Sequence, residues 1–234
     1  MEGSLFIQRR VGHFLSFGVN HEDISRFHVG GSFALVANTS PTAFWTVYRI
    51  FSNPAALEQC RNEVSQAVTR DGDVYSKDSS IIKNSCPVLV SIFQEVFRVH
   101  GQVQHTDGDV WGNDWNHFNH RRFLRTPEIK RSNPVAFRSF GGGTTLCPVR
   151  HFAAAETLLF ADLLTMRFDM QPVAGQCILP TTYKSSQAEA MEQPDEDIKV
   201  KLVPRPGGDE QWRITFSEPM EPQITAEGKS GDPH

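Results

Sequence analysis

The chain is poor in cysteine, has no excess of basic residues and contains no long apolar run. Each shortage excludes a class of protein. The only four cysteines are Cys60, Cys86, Cys147 and Cys177. At 234 residues they are too sparse for an extracellular disulfide scaffold, and their spacings match no paired C-x-x-C zinc pattern. A reducing compartment is the default, so each is weighed as a free thiol or a ligand. The net charge of −4 is the opposite of what a general nucleic-acid binder carries, and no nucleic-acid partner is expected. No stretch reaches the roughly 18 apolar residues of a membrane-spanning helix. The start, MEGSLFIQRRVGHFLSFGVN, is interrupted by Arg9, Arg10 and His13 and offers no small-residue cleavage site, unlike a signal peptide. No internal repeat occurs. What is present is 39% hydrophobic and 21% charged, enough to bury a core in one large or two small domains.

Residues 1–30 are weakly patterned. From residue 30 to 52, Phe33, Val36, Phe44, Val47 and Phe51 recur near helical spacing. Pro41 inside that run removes a backbone donor and predicts a local bend or break. Asn53 as N-cap and Pro54 at the first helical position predict a helix over 52–72, ending at Asp71-Gly72. Pro87 and Gly101 bracket another over 85–101. An Ala- and Leu-rich run predicts a third over 147–170. Residues 101–146 read as loop, 185–197 as a mobile charged linker, and the tail as disordered. IKVKLVP and QWRITF alternate like strands, with Pro-Gly-Gly turning the chain between them.

Three glycines, Gly141, Gly142 and Gly143, precede Cys147. A phosphate-binding P-loop needs Lys and then Ser or Thr after its last glycine. Thr144 and Thr145 follow here without a lysine, so a glycine turn before a helix is the plainer reading. Cys147 adds to it. A cysteine at a helix start sits at the positive end of the helix dipole, where a thiolate is favoured. Such a thiolate serves as a nucleophile or as a metal ligand. His151 lies one turn on as a base, but no third member completes a catalytic set. The other option is an axial thiolate on haem iron, which needs a loop flat enough to lie under the macrocycle, a property glycines supply.

FGGGTTLCPVRHFA, residues 140–153, resembles the haem-binding signature of the cytochrome P450 family, with Phe140, Gly143, Cys147 and Ala153 on the pattern. EVFR, residues 95–98, resembles the Glu-x-x-Arg pair of that family's K helix. Glu95 and Arg98 share a helix face, and outside this context they would read as a solvated surface pair. FNHRRFL, residues 118–124, resembles the segment whose arginine completes a Glu-Arg-Arg cluster, with Arg122 as the match. His120-Arg121 replaces the usual Pro-Glu. ANTSPTAFW, residues 37–45, resembles the distal helix, Thr39 taking the alcohol position and Asn38 the acid position. That form looks like the subgroup of sterol 7α-hydroxylases and prostacyclin synthases, where some members hydroxylate and others rearrange peroxides. A structural alternative is that Asn38 and Thr39 satisfy backbone freed by Pro41.

The resemblance covers about residues 30–220 and corresponds to the C-terminal half of a family member. It implies a mainly α fold with small β elements, a truncated cytochrome P450 fold. Residues 1–29 form a poorly patterned segment, 30–222 the partial haem-thiolate domain and 223–234 a disordered tail. It implies haem b as cofactor, with Cys147 the iron ligand, Phe140 shielding its sulfur and Gly143 shaping the loop. It implies Thr39 and Asn38 as catalytic residues, and Glu95, Arg98 and Arg122 as a structural cluster. A monooxygenase of this kind oxidises a lipophilic small molecule with electrons from an NADPH-dependent reductase, at the endoplasmic reticulum membrane. This chain shows no anchor and would be soluble or peripheral. The alternatives are a peroxide-rearranging haem isomerase and a non-enzymatic remnant.

Three departures accompany the likeness. Val149 stands where the family has glycine, adding bulk and removing permissive backbone. Thr145 stands where many members carry Arg or His for a haem propionate. FRVHG runs almost straight into VQHTD, leaving no room for the family's intervening strands. Loop histidines His105, His117 and His120 suggest a metal site or, more plainly, solvent-exposed side chains. Trp111, Trp115 and Phe118 suggest a base-stacking platform or ordinary packing, and the acidic balance favours packing.

Overall fold

The computed structural model describes residues 4–66, 68–79, 82–101, 105, 107–125, 136–186 and 189–215. Two compact units divide at residue 38. In the first, α1 (Leu5–Ser16) is capped by the Ser4 hydroxyl, which accepts from the Ile7 N–H. The next helix, α2 (His21–Phe51), starts in this unit and continues into the second. The weakly patterned start therefore carries two helices. The helix also runs on through Pro41 rather than breaking there.

In the second unit, α3 (Pro54–Ser65) begins as the sequence predicts. The Asn53 side chain accepts from the N–H groups of Ala55 and Ala56, with Pro54 at the first position. The predicted continuation to residue 72 does not form. Val68–Asp71 is strand β1, paired antiparallel with β2 (Val74–Asp78). The connection is two residues long, and Gly72 has φ +59°, the left-handed value that tight hairpin turns need at that point. A short helix, α4 (Ile82–Ser85), leads into α5 (Pro87–His100), which ends at Gly101 as predicted. Cys86 caps α5 without a side-chain hydrogen bond. Glu63 of α3 supplies the missing acceptor, taking the Val88 N–H at 2.9 and 3.0 Å. A carboxylate there also faces the positive end of the helix.

A four-residue helix, α6 (Gly108–Trp111), and a 3₁₀ turn (Gly143–Thr145) interrupt the predicted loop. The last helix, α7 (Arg150–Arg167), is shorter than predicted at both ends. Cys147 and Pro148 precede its cap at Val149, and Phe168–Pro172 is strand β3. β3 pairs antiparallel with β4 (Val200–Pro204). β5 (Gln211–Thr215) pairs parallel with β2, giving a sheet of order β1-β2-β5. The fold is mainly α with small β elements.

The core lies where α2, α3, α5 and α7 contribute fully buried side chains. Trp45, Ile50, Cys60, Val64, Leu89, Ile92 and Ala161 are all completely covered. The segment predicted as a mobile linker is pinned to that core. Met191 is buried, Gly101 forms a bridge with Met191, and the Trp45 indole donates to the Glu192 carbonyl. The Asp195 carboxylate accepts from the Tyr183 and Lys184 N–H groups. Its charged composition hides these backbone and single-residue anchors. The predicted disordered tail, 223–234, lies outside the described residues.

Candidate haem-thiolate site

Helix α5 is buried on nearly all sides, from Val88 to Arg98. Charge inside such a helix must be paired and hydrogen-bonded, because desolvating an ion costs several kcal/mol. Glu95 and Arg98 meet that demand through their i, i+3 spacing. The Arg98 Nε and Nη2 donate to the two Glu95 oxygens, each at 2.7 Å, a bidentate pair. Arg122 joins by donating its Nε to Glu95 Oε1 at 3.1 Å, and the Asn119 N–H donates to the same oxygen at 3.0 Å. Glu95 is fully covered, so a solvated surface pair is excluded.

The two guanidiniums then grip the loop. Arg98 Nη1 donates to the Trp115 carbonyl at 2.7 Å, and Nη2 to the His117 carbonyl at 3.2 Å. Arg122 donates to the Trp111 carbonyl at 2.8 Å and to the Asp114 carboxylate at 2.9 Å. The hydrogen bond from Arg122 holds the Asp114 carboxyl below the usual carboxylate range. A loop without regular structure thus has its carbonyls satisfied by side chains. Asp114 carried no sequence signal, since only the folded loop brings it to Arg122.

The Cys147 loop is closed on itself. The Cys147 N–H donates to the Phe140 carbonyl at 2.9 Å, and Leu146 N–H to the Gly143 carbonyl at 3.3 Å. Gly141 has φ +83°, and a Cβ there would meet the Thr145 carbonyl at 2.9 Å, so glycine is required. Gly143 has φ +56° beside open space, so its need is conformational alone. The Phe140 ring packs on Phe97 of α5, with centroids 4.8 Å apart, which ties the loop to the buried helix. Cys147 is half-buried just ahead of α7.

The Val149 backbone is unstrained. Its φ of −97° and ψ of 11° are open to any residue, so the backbone freedom of glycine is not needed. Val149 is 48% exposed and Phe152, about one helical turn further on, is 59% exposed. Around the loop, Ser139 Oγ, Arg150 Nε and His151 Nδ1 are covered yet without a partner. An apolar face, unpartnered polar atoms and a half-buried thiol together fit a flat group with a metal and polar edges. Thr145 instead turns its hydroxyl to the Gly142 carbonyl at 2.9 Å.

Asn38 and Thr39 are half-buried on α2, at the division between the two units. Among the described contacts, none links Thr39 to Cys147. The histidines diverge from expectation. His117 is exposed, but His105 is buried between Trp111 and Phe137 and accepts from the Arg138 N–H at 3.3 Å. Burial pushes the His105 imidazole below its ordinary range. Among the described residues no group of three or more His, Cys, Asp or Glu could hold a metal. Trp111 packs inside the loop rather than offering a stacking platform.

The cytochrome P450 family model matches residues 99–201. A cytochrome P450 monooxygenase from Hypoxylon pulicicidum is 29% identical over 244 residues, covering 86% of this chain and 48% of that protein. One from Gibberella zeae is 27% identical, covering 93% of this chain and 50% of its own length. A cholesterol 7-alpha-monooxygenase from Cricetulus griseus is 24% identical over 76% of this chain and 44% of its own. The chain thus spans about half the length of the curated relatives it matches. With a half-buried thiol at the end of a closed glycine loop and a buried Glu-Arg-Arg cluster, this chain is similar to cytochrome P450 monooxygenases over most of its length.

Proposed function

We propose that this chain is the haem-thiolate half of a monooxygenase acting on a lipophilic small molecule. The observation that carries the reading is the Cys147 loop, closed by the Cys147 N–H to the Phe140 carbonyl and flanked by exposed Val149 and Phe152. Haem, when bound, supplies oxygen activation that no side chain can perform. Cys147 would hold its iron as a thiolate, the ligand type that favours O–O cleavage. Backbone N–H groups near the sulfur would tune its basicity, and Phe140 would exclude water from it. The Thr39 hydroxyl, which both donates and accepts, would hold a proton for the reaction, with Asn38 preceding it on α2. Glu95, Arg98 and Arg122 take no part in the chemistry and keep α5 and the loop in one geometry.

Relatives named as sterol hydroxylases support a lipophilic substrate. Electrons would come from an NADPH-dependent reductase, at the endoplasmic reticulum membrane. Among the described residues no helix is long and apolar enough to cross a membrane. A second reading is rearrangement of a lipid peroxide without a reductase, since the Asn38-Thr39 form resembles a subgroup that holds both hydroxylases and peroxide-rearranging members.

Supplying the haem-loaded full chain with a sterol, reductase, NADPH and oxygen separates the readings. Product that needs all four, and disappears in Cys147→Ala, supports the monooxygenase. Rearrangement of a lipid hydroperoxide without reductase replaces it with the isomerase. Failure to take up haem would sink both and leave the non-enzymatic remnant.

A further inference from the structure

His100, the last residue of α5, sits two positions beyond Arg98. Its ring stacks on Trp45 of α2, with centroids 3.8 Å apart and planes within 6°. Arg49, one turn beyond Trp45, places Nη2 3.0 Å from His100 Nε2. A guanidinium can only donate, so Nε2 is the acceptor and the ring proton is on Nδ1. Nδ1 lies 3.5 Å from Glu192 Oε2, an electrostatic approach longer than a hydrogen bond. The backbone repeats the connection, since the Glu192 N–H donates to the His100 carbonyl at 2.8 Å. Trp45 closes the circuit by donating its indole N–H to the Glu192 carbonyl at 2.8 Å. Arg49 also lies over the Phe118 ring at 4.5 Å, between His117 and Asn119, whose backbone groups bind Arg98 and Glu95.

We propose that Arg49, His100 and Glu192 form a three-way clasp that fixes the last turns of α2 against α5 and the 189–193 segment. His100 is then the positioning residue for the helix that carries Thr39. A neutral imidazole accepts from Arg49, turns its N–H to the Glu192 carboxylate and stacks flat on the indole at once. An amide in its place keeps a donor and an acceptor but loses the stack. The facing charged groups are Arg49 from α2, Glu192 from the 189–193 segment and Glu95 one turn earlier on α5, which acts on Arg49. Protonating the ring puts a donor opposite Arg49 and opens the clasp. The inference concerns the protein fold and stands apart from the haem reading, because its test uses the chain without added haem.

The test is amide hydrogen exchange on the full chain for wild type, His100→Gln and Glu192→Ala, the last at a side chain 34% exposed whose loss spares the core. The clasp predicts exchange faster by about tenfold in both 42–51 and 189–193, with the β1–β2 hairpin unchanged. Wild-type indole emission should also change near pH 4, and that change should vanish in His100→Gln and in Trp45→Phe. Exchange in 42–51 that stays at the wild-type rate in both variants overturns the proposal. So does acceleration spread evenly over the chain, hairpin included, or an emission change that persists in His100→Gln.

Discussion

Four cysteines share this chain and differ in what surrounds their sulfurs. Cys60 and Cys86 are fully buried, and burial pushes the Cys86 thiol up to about 12 and raises that of Cys60 further. Cys177 is exposed and Cys147 half-buried. A thiol reagent should therefore titrate Cys177 and Cys147 in the native chain and reach Cys60 and Cys86 only after unfolding. Counting modified sites by mass spectrometry checks this, and early labelling of Cys60 would contradict the packing of α3. His100 sets a pH dependence at the same scale. Burial lowers its pKa from 6.5 to about 4. The unfolded chain thus binds a proton that the folded chain refuses between those values, so stability falls as pH drops from about 6.5 to about 4. The full loss is about 3 kcal/mol, since one pKa unit is 1.36 kcal/mol. Denaturant midpoints at the two ends of that window should converge in His100→Asn, which has no proton to gain.

At the scale of elements, buried ion pairs carry the joints. Lys77 of β2 donates to Asp162 of α7 at 2.6 Å and to the Val64 carbonyl of α3 at 3.2 Å, with both charged side chains fully covered. Burial pushes the Asp162 carboxyl up to about 6 against the pull of Lys77. The Glu95 cluster joins α5 to the loop in the same way. Arg98→Leu leaves Glu95 buried with Arg122 alone and should cost about 3–5 kcal/mol, measured as a shift in unfolding midpoint. The double variant Arg98→Leu, Glu95→Leu should recover much of it, because the orphaned charge is gone. Local signals made α3 and α5 legible in the sequence. Asn53-Pro54 and Pro87 with Gly101 act within a few residues of themselves. The β1–β2 hairpin carried an Asp-Gly signal too, but it competes with the end of a helix, and only pairing with β5 over 137 positions settles it. Lys77 and Asp162 stand 85 positions apart and Arg122 stands 27 from Glu95, so charge type alone could not pair them. The Cys147 loop was readable because its hydrogen bonds and its left-handed glycines all fall between Phe140 and Cys147.

At the scale of the whole molecule, the chain spans about half of the relatives it matches. Its first unit exposes Leu5, Phe17, Phe27, Val29, Phe33 and Val36. The second unit holds the Cys147 loop, the Glu95 cluster and the core that supports them, so the proposed thiolate ligand does not depend on the first. The function proposed for this chain depends on Cys147 binding haem iron as a thiolate. The most direct measurement is the absorption spectrum of the full chain loaded with haem, reduced and exposed to carbon monoxide. Thiolate ligation predicts a Soret band shifted strongly to the red, and its loss in Cys147→Ala. A band characteristic of a neutral axial ligand, or no haem band after loading, would contradict it.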